Sequence, residues 1–181
     1  MNPSRDMNGF LIYKTNKDQI FEAKRIFGER FSSSFSLNSK TVYDRMESRL
    51  AGIVGEIVYQ TLFPNAKKTP DRDIPYDFYH DGKKVDVKCK YRTVDPKPSF
   101  EASFVAYQMS GKFQNVDKYV FMTTRDDFSI VWICGYISKS EFMNKSVLWR
   151  KGQTDPTNNK TFHEDTLSLY YFQLNKYELR N

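Results

Sequence analysis

The stretch "YDFYHDGKKVDVKCKY", residues 76–91, constrains the fold of this chain more than any other. Asp81-Gly82 sits between two strand-like runs, and an Asp-Gly pair readily supplies the two positive-φ positions of a tight hairpin turn. Strands are therefore predicted at about 76–80 and 83–91. Alternate strand residues share a face, so Val85, Val87 and Cys89 point to a core while Lys84, Asp86, Lys88 and Lys90 point to something polar. Pairing around the turn also carries the carboxylate of Asp77 toward that of Asp86. Two close carboxylates repel each other, and a divalent cation between them removes the penalty.

Upstream, residues 17–30 place Ile20, Phe21, Ala23, Ile26 and Phe27 at helical spacing. "FSSSFSLNS" reads as a polar loop, and a second helix is expected over about 40–62, started by Asn38 or Ser39 and stopped before Pro64. Val42, Met46, Leu50, Ile53, Val54, Ile57 and Val58 give it an apolar face. Arg45, Arg49, Gly52, Glu56 and Gln60, three or four residues apart, form a second stripe. Gly52 is expected to admit a backbone or a phosphate, despite its cost of about 1 kcal/mol within a helix.

Downstream, "RTVDPKPSF" is a loop and 101–115 reads equally as strand or short helix. "KYVFMTT" and "FSIVWICGYI" are strands dense enough in β-branched and aromatic residues for a sheet interior. Ser138 and Glu141 have capping-box spacing, 151–165 is a polar loop, and "TLSLYYFQL" suggests a last strand or an edge element. One α/β domain over 1–181 follows, with a helical N-terminal extension (1–37), a core (38–143) and a C-terminal loop and strand (144–181).

Hard cations such as Mg²⁺ or Mn²⁺ take oxygen ligands. Asp77, Asp86 and the main-chain carbonyl of Val87 supply a partial shell, and Glu56 on the packed helix adds a direct or water-mediated ligand. Lys88, one strand step from Asp86 on the same face, is placed to hydrogen-bond an attacking water or a reacting phosphate. Asp71 and Asp73 in "PDRDIP" are rival acids, read here as turn residues.

In this order, a helix Glu in "AGIVGEIVYQ", a strand Asp in "IPYDF" and the D-x-K of "VDVKCK", the chain resembles the PD-(D/E)xK, or restriction-endonuclease-like, nuclease superfamily, in a phage or bacterial form. Tyr76 stands where the superfamily name has its Pro, and Pro75 lies one place earlier. The resemblance covers about residues 45–92 by motif. It implies a mixed central sheet of four or more strands flanked by helices, with Glu56, Asp77 and Asp86 holding Mg²⁺ and Lys88 assisting the attacking water. It implies DNA hydrolysis leaving a 5′-phosphate and a 3′-hydroxyl. Gln108 in "FVAYQMSGKF" is similar to the glutamine that some branches place after this lysine; an ordinary exposed amide is its plain alternative.

A net charge of +6, from 28 Lys and Arg against 22 Asp and Glu, favours a polyanionic partner. DNA leads and RNA stays open. Arg45, Arg49, Lys90 and Arg92 are the expected nucleic-acid contacts, with Lys83 and Lys97 extending a basic rim, and Tyr76, Tyr79, Tyr91, Phe100 and Tyr107 available for base stacking. Cutting both strands of a duplex favours a homodimer. Cys89 and Cys134 lie far apart with no C-x-x-C spacing, which points to two reduced, buried thiols. No signal-peptide core and no run of about 18 apolar residues is present, so a cytoplasmic location without membrane contact is expected, in a bacterial or phage-infected cell. No nucleophile elbow, P-loop or G-x-G-x-x-G appears, which leaves acyl transfer and nucleotide-cofactor chemistry without support. The alternative to a nuclease is a non-catalytic nucleic-acid-binding module on the same scaffold.

Overall fold

A computed structural model describes residues 4–31, 40–69, 76–106 and 115–178. The chain begins with two strands, β1 (Ser4–Arg5) and β2 (Leu11–Lys14), followed by helices α1 (Lys17–Phe31) and α2 (Lys40–Leu62). Strands β3 (Lys67–Lys68), β4 (Phe78–His80), β5 (Lys83–Tyr91), β6 (Glu101–Val105), β7 (Lys118–Thr124) and β8 (Ile130–Ser138) come next. Helix α3 (Lys139–Lys145) precedes β9 (Val147–Trp149), β10 (Thr154–Asp155), β11 (Lys160–Thr161) and β12 (Thr166–Tyr170).

The fold is mixed α/β. Seven strands form one sheet in the order β1-β2-β8-β7-β5-β4-β3, antiparallel throughout except for the parallel pair β5–β7. α1 and α2 pack on one face, where Val85, Val87, Val120, Met122 and Ile133 meet Ala51, Val54 and Val58. On the other face, Tyr119, Phe121, Trp132 and Cys134 meet Phe104 and Leu169 of a second sheet, ordered β6-β12-β9, together with Phe142 of α3. The rings of Phe104 and Tyr119 lie 4.5 Å apart and those of Phe104 and Phe142 4.9 Å apart. Each such buried aromatic contributes about 1.5–3 kcal/mol. Covered on both sides, β7 reads as a continuous apolar run rather than an alternating one.

Local chemistry sets the joints. Asp81 and Gly82 adopt φ of 49° and 74°, the two positive values of the hairpin turn joining β4 to β5. Ser138 and Glu141 close a reciprocal capping box on α3. On α2 the buried stripe runs Ala51, Val54, Gly55, Val58, Tyr59. A Cβ on Gly55 would stand 2.5 Å from Cys89 Cβ, so the missing side chain sets how closely α2 approaches β5.

Several sequence expectations are corrected. The N-terminal segment is not purely helical, because "LIYK" pairs with β8 as an inner strand of the large sheet. The polar run 151–165 contains the β10–β11 hairpin, held down by buried Asp155, which accepts a hydrogen bond from the Tyr170 hydroxyl at 2.9 Å. Of the two readings of "TLSLYYFQL", the last strand holds, since β12 is the final strand of the order, and the edge element does not, since it lies between β6 and β9. Both cysteines are free; Cys134 is buried and Cys89 only partly so. Among the described residues, no helix is long and apolar enough to cross a membrane. The expected helix caps Asn38 and Ser39, the loop around them, Asp71, Asp73, Tyr107 and Gln108 lie outside the described residues.

Candidate active site

The site is built where the β4–β5 hairpin loses its regular pairing. Phe78 faces Val85 in the ladder, but the preceding Asp77 leaves it: its N–H donates to the Val85 carbonyl at 2.9 Å. The Val87 N–H, which β4 no longer reaches, donates instead to Asp77 Oδ2 at 2.7 Å. That bond fixes the Asp77 carboxylate on the free edge of β5. The N–H and C=O of one strand residue project the same way, so the Val87 carbonyl opens on that edge too.

Asp86 and Lys88 point to the sheet's other face. Asp86 is 7% exposed, and Lys88 Nζ lies 2.9 Å from its Oδ2. The same ammonium sits 5.7 Å from the ring centre of Phe104 on β6, which helps to fix its stem. Tyr119, paired with Asp86 across β5–β7, has its phenol pKa pushed up to about 12 by burial and by the Asp86 charge. Glu56 comes from α2, one residue past the close-packed Gly55. Arg30 Nη1 and Nη2 lie 3.4 Å from its two oxygens, and Lys68 Nζ lies 3.1 Å from Oε2.

These groups share one electrostatic field. Burial first, then repulsion from Asp86 and Glu56, raises the Asp77 pKa well above the usual carboxylate range; the Val87 N–H and Lys88 oppose this without reversing it. For Lys88 burial is the largest influence and pulls the pKa down, yet the attraction of Asp86, Asp77 and Glu56 outweighs it and the pKa ends raised. The Lys88 ammonium so held donates to Asp86.

Among the described residues, no three acidic, His or Cys side chains stand around one point as a ready ligand set. Each acid instead has a protein partner: the Val87 N–H for Asp77, Lys88 for Asp86, Arg30 and Lys68 for Glu56. The donors still suit a hard divalent cation, being carboxylate and carbonyl oxygens alone. The repulsion that draws a proton to Asp77 draws a divalent cation by the same Coulomb term.

The remaining expected contacts are scattered. Arg49 is exposed, with its guanidinium 4.7 Å from the ring centre of Phe31, whereas the Arg45 side chain falls outside the described residues. Lys90 is a correction: its ammonium donates to the Glu101 carbonyl at 3.0 Å and to Ser103 Oγ at 2.7 Å, between β5 and β6 rather than on a rim. Arg92 also turns inward, with its guanidinium 4.5 Å over Phe100 and its Nε buried. Tyr79 is exposed, while Tyr76 and Phe100 pack on the aromatic core and Tyr91 on the helix-side core. Among the described residues, Gly52 has no atom within 4 Å of where a Cβ would stand, so the close approach belongs to Gly55. Arg30, Lys68, Tyr119 and Gly55 were missed from sequence. Gly55 was findable, since it lies three and four residues from Ala51, Val58 and Tyr59 on the buried stripe.

No model of a known protein family matches the chain, and no curated protein matches its sequence.

Proposed function

We propose that the protein is a Mg²⁺-dependent deoxyribonuclease of the PD-(D/E)xK type, with a restriction-endonuclease-like core inside its larger sheet. One observation carries this reading: the Val87 N–H holds the Asp77 carboxylate at 2.7 Å on the edge of β5, and the residues on either side of Val87, Asp86 and Lys88, pair with each other at 2.9 Å. A chain of net charge +6 supports a polyanionic substrate.

Asp77, Asp86 and the Val87 carbonyl would hold the cation, with Glu56 adding a direct or water-mediated contact. Bound there, Mg²⁺ supplies Lewis-acid polarisation of the phosphodiester. The protein's own part is positioning. The Val87 N–H fixes Asp77, and Phe104 with Asp86 fixes Lys88. Water adds to phosphorus as the P–O3′ bond breaks, the 3′ oxygen gains a proton, and negative charge builds on the non-bridging oxygens. The Lys88 ammonium meets that charge, an arrangement worth on the order of a hundred-fold in rate or more.

The test is incubation of the purified protein with circular single-stranded, plasmid and linear duplex DNA in Mg²⁺, Mn²⁺ or EDTA, beside Asp77→Ala, Asp86→Ala and Lys88→Ala. Metal-dependent cleavage, lost in the three variants, is expected. Unchanged cleavage in all three removes the assignment. A second reading, a non-catalytic nucleic-acid-binding module, is favoured by the protein partner that each acid already has. It expects salt-sensitive binding that EDTA does not affect, and no products.

A further inference from the structure

Glu56 is held by two cations that differ from Lys88, the third cation of the site. Arg30 comes from the last turn of α1 and Lys68 from β3, at the end of the seven-strand order, so both reach in from the periphery on long, flexible stems. Their contacts are loose. The guanidinium–carboxylate distances are 3.4 Å and the ammonium distance is 3.1 Å, against about 2.7–2.9 Å for a tight charge-assisted bond and 2.9 Å for Lys88 to Asp86. Exposure follows the same order: the Glu56 side chain is 14% exposed, Arg30 26% and Lys68 37%. The acid is fixed and its partners can leave.

Charge counting gives this a direction. Glu56, Asp77 and Asp86 carry up to three negative charges, and Lys88, Arg30 and Lys68 carry three positive ones. A divalent cation that took over the neutralisation of Glu56 would leave Arg30 and Lys68 without that partner. Among the described residues Glu22 also feels the charge of Lys68, but it is already paired with Arg25 at 2.7 Å, so the phosphodiester that the metal attracts would be the anion left for them.

We propose that Arg30 and Lys68 are positioning residues that occupy Glu56 in the metal-free protein and pass to the substrate's phosphates when a divalent cation binds. This rests on the nuclease reading above and adds an exchange of partners to it. Metal and DNA then bind with positive coupling, because each frees the groups the other needs, and the coupling is reciprocal. Removing the two cations has opposite effects on the two ligands: the metal loses its competitors, and DNA loses two phosphate contacts.

The experiment measures Mn²⁺ affinity by electron paramagnetic resonance without DNA, and the affinity for a short fluorescein-labelled duplex by anisotropy in Ca²⁺ over a salt series. The proteins are wild type, Arg30→Gln/Lys68→Gln, the conservative Arg30→Lys/Lys68→Arg, and Asp77→Asn/Asp86→Asn. Circular dichroism establishes that each is folded. The Gln variant should bind Mn²⁺ more tightly, on the order of ten-fold. It should bind DNA more weakly, with a salt slope lower by about two, and the conservative variant should restore the DNA arm. Weaker or unchanged Mn²⁺ binding, or an unchanged salt slope, overturns the exchange and leaves Arg30 and Lys68 as structural partners of Glu56. If instead wild type and Asp77→Asn/Asp86→Asn bind Mn²⁺ alike, the metal site itself is wrong and the exchange falls with it.

Discussion

Alanine should have opposite effects at two glycines of one helix. At position 52 an added Cβ meets nothing within 4 Å among the described residues, so Gly52→Ala gains the helix-propensity difference of about 1 kcal/mol. In a chain of this size that raises Tm by about 2–4 °C. At position 55 the same methyl lands 2.5 Å from Cys89 Cβ and 3.3 Å from its Sγ. Cys89 Cβ is attached directly to the β5 backbone and cannot rotate away, so α2 must lift from the sheet. Overpacking of this kind costs about 1–3 kcal/mol, and a contact this short belongs at the upper end. Against the gain of about 1 kcal/mol from propensity, the net loss is about 2 kcal/mol, a fall in Tm of about 4–8 °C. Glu56 is the next residue, so the lift also moves a site carboxylate and Mn²⁺ affinity should drop in Gly55→Ala only. Scanning calorimetry of both variants in EDTA, with Mn²⁺ titration beside it, tests this. A rise in Tm for Gly55→Ala matching that of Gly52→Ala would refute the close packing of α2 on β5.

Two further predictions concern pH. The folded-state pKa of Asp77 is raised by burial and by Asp86 and Glu56, so its favourable contribution is complete below the ordinary carboxylate range and is lost as pH rises through the raised value. In EDTA, Asp77→Asn, which keeps an acceptor for the Val87 N–H, should match wild type in acid and become the more stable of the two as pH rises; the opposite trend in thermal melts contradicts the repulsion among the carboxylates. Burial, then Lys160 and Arg92, lower the Lys90 pKa from 10.5 to about 7, so the unfolded chain holds that proton more tightly and wild-type stability should climb between those two values. Lys90→Met should flatten the climb in urea unfolding, and an unchanged slope would show that the ammonium is not shut in between β5 and β6.

What the sequence revealed was mostly local. The Asp81-Gly82 turn, the Ser138 capping box and the spans of α1 and α2 depend on neighbours within a few residues, and these were readable. The order Glu56, Asp77, Asp86, Lys88 was readable as a pattern because a strand and a helix impose their own periods. The second sheet was not readable, because β6, β9 and β12 are far apart in the chain and each is short. That omission produced the wrong expectation for Lys90, whose alternation with Val87 and Cys89 was right but whose charged face is covered by β6. The partners of Glu56 were hidden for the same reason: Arg30 and Lys68 lie 26 residues before it and 12 after it on elements that only the folded chain brings together.

The most direct measurement is anomalous diffraction from crystals soaked in Mn²⁺. Expected is a single strong peak between the carboxylates of Asp77 and Asp86, about 2.1 Å from their nearest oxygens, with the Val87 carbonyl in the same shell and Glu56 released from Arg30 and Lys68. Manganese bound only elsewhere, or no peak in crystals of a protein that cleaves DNA, would contradict the site.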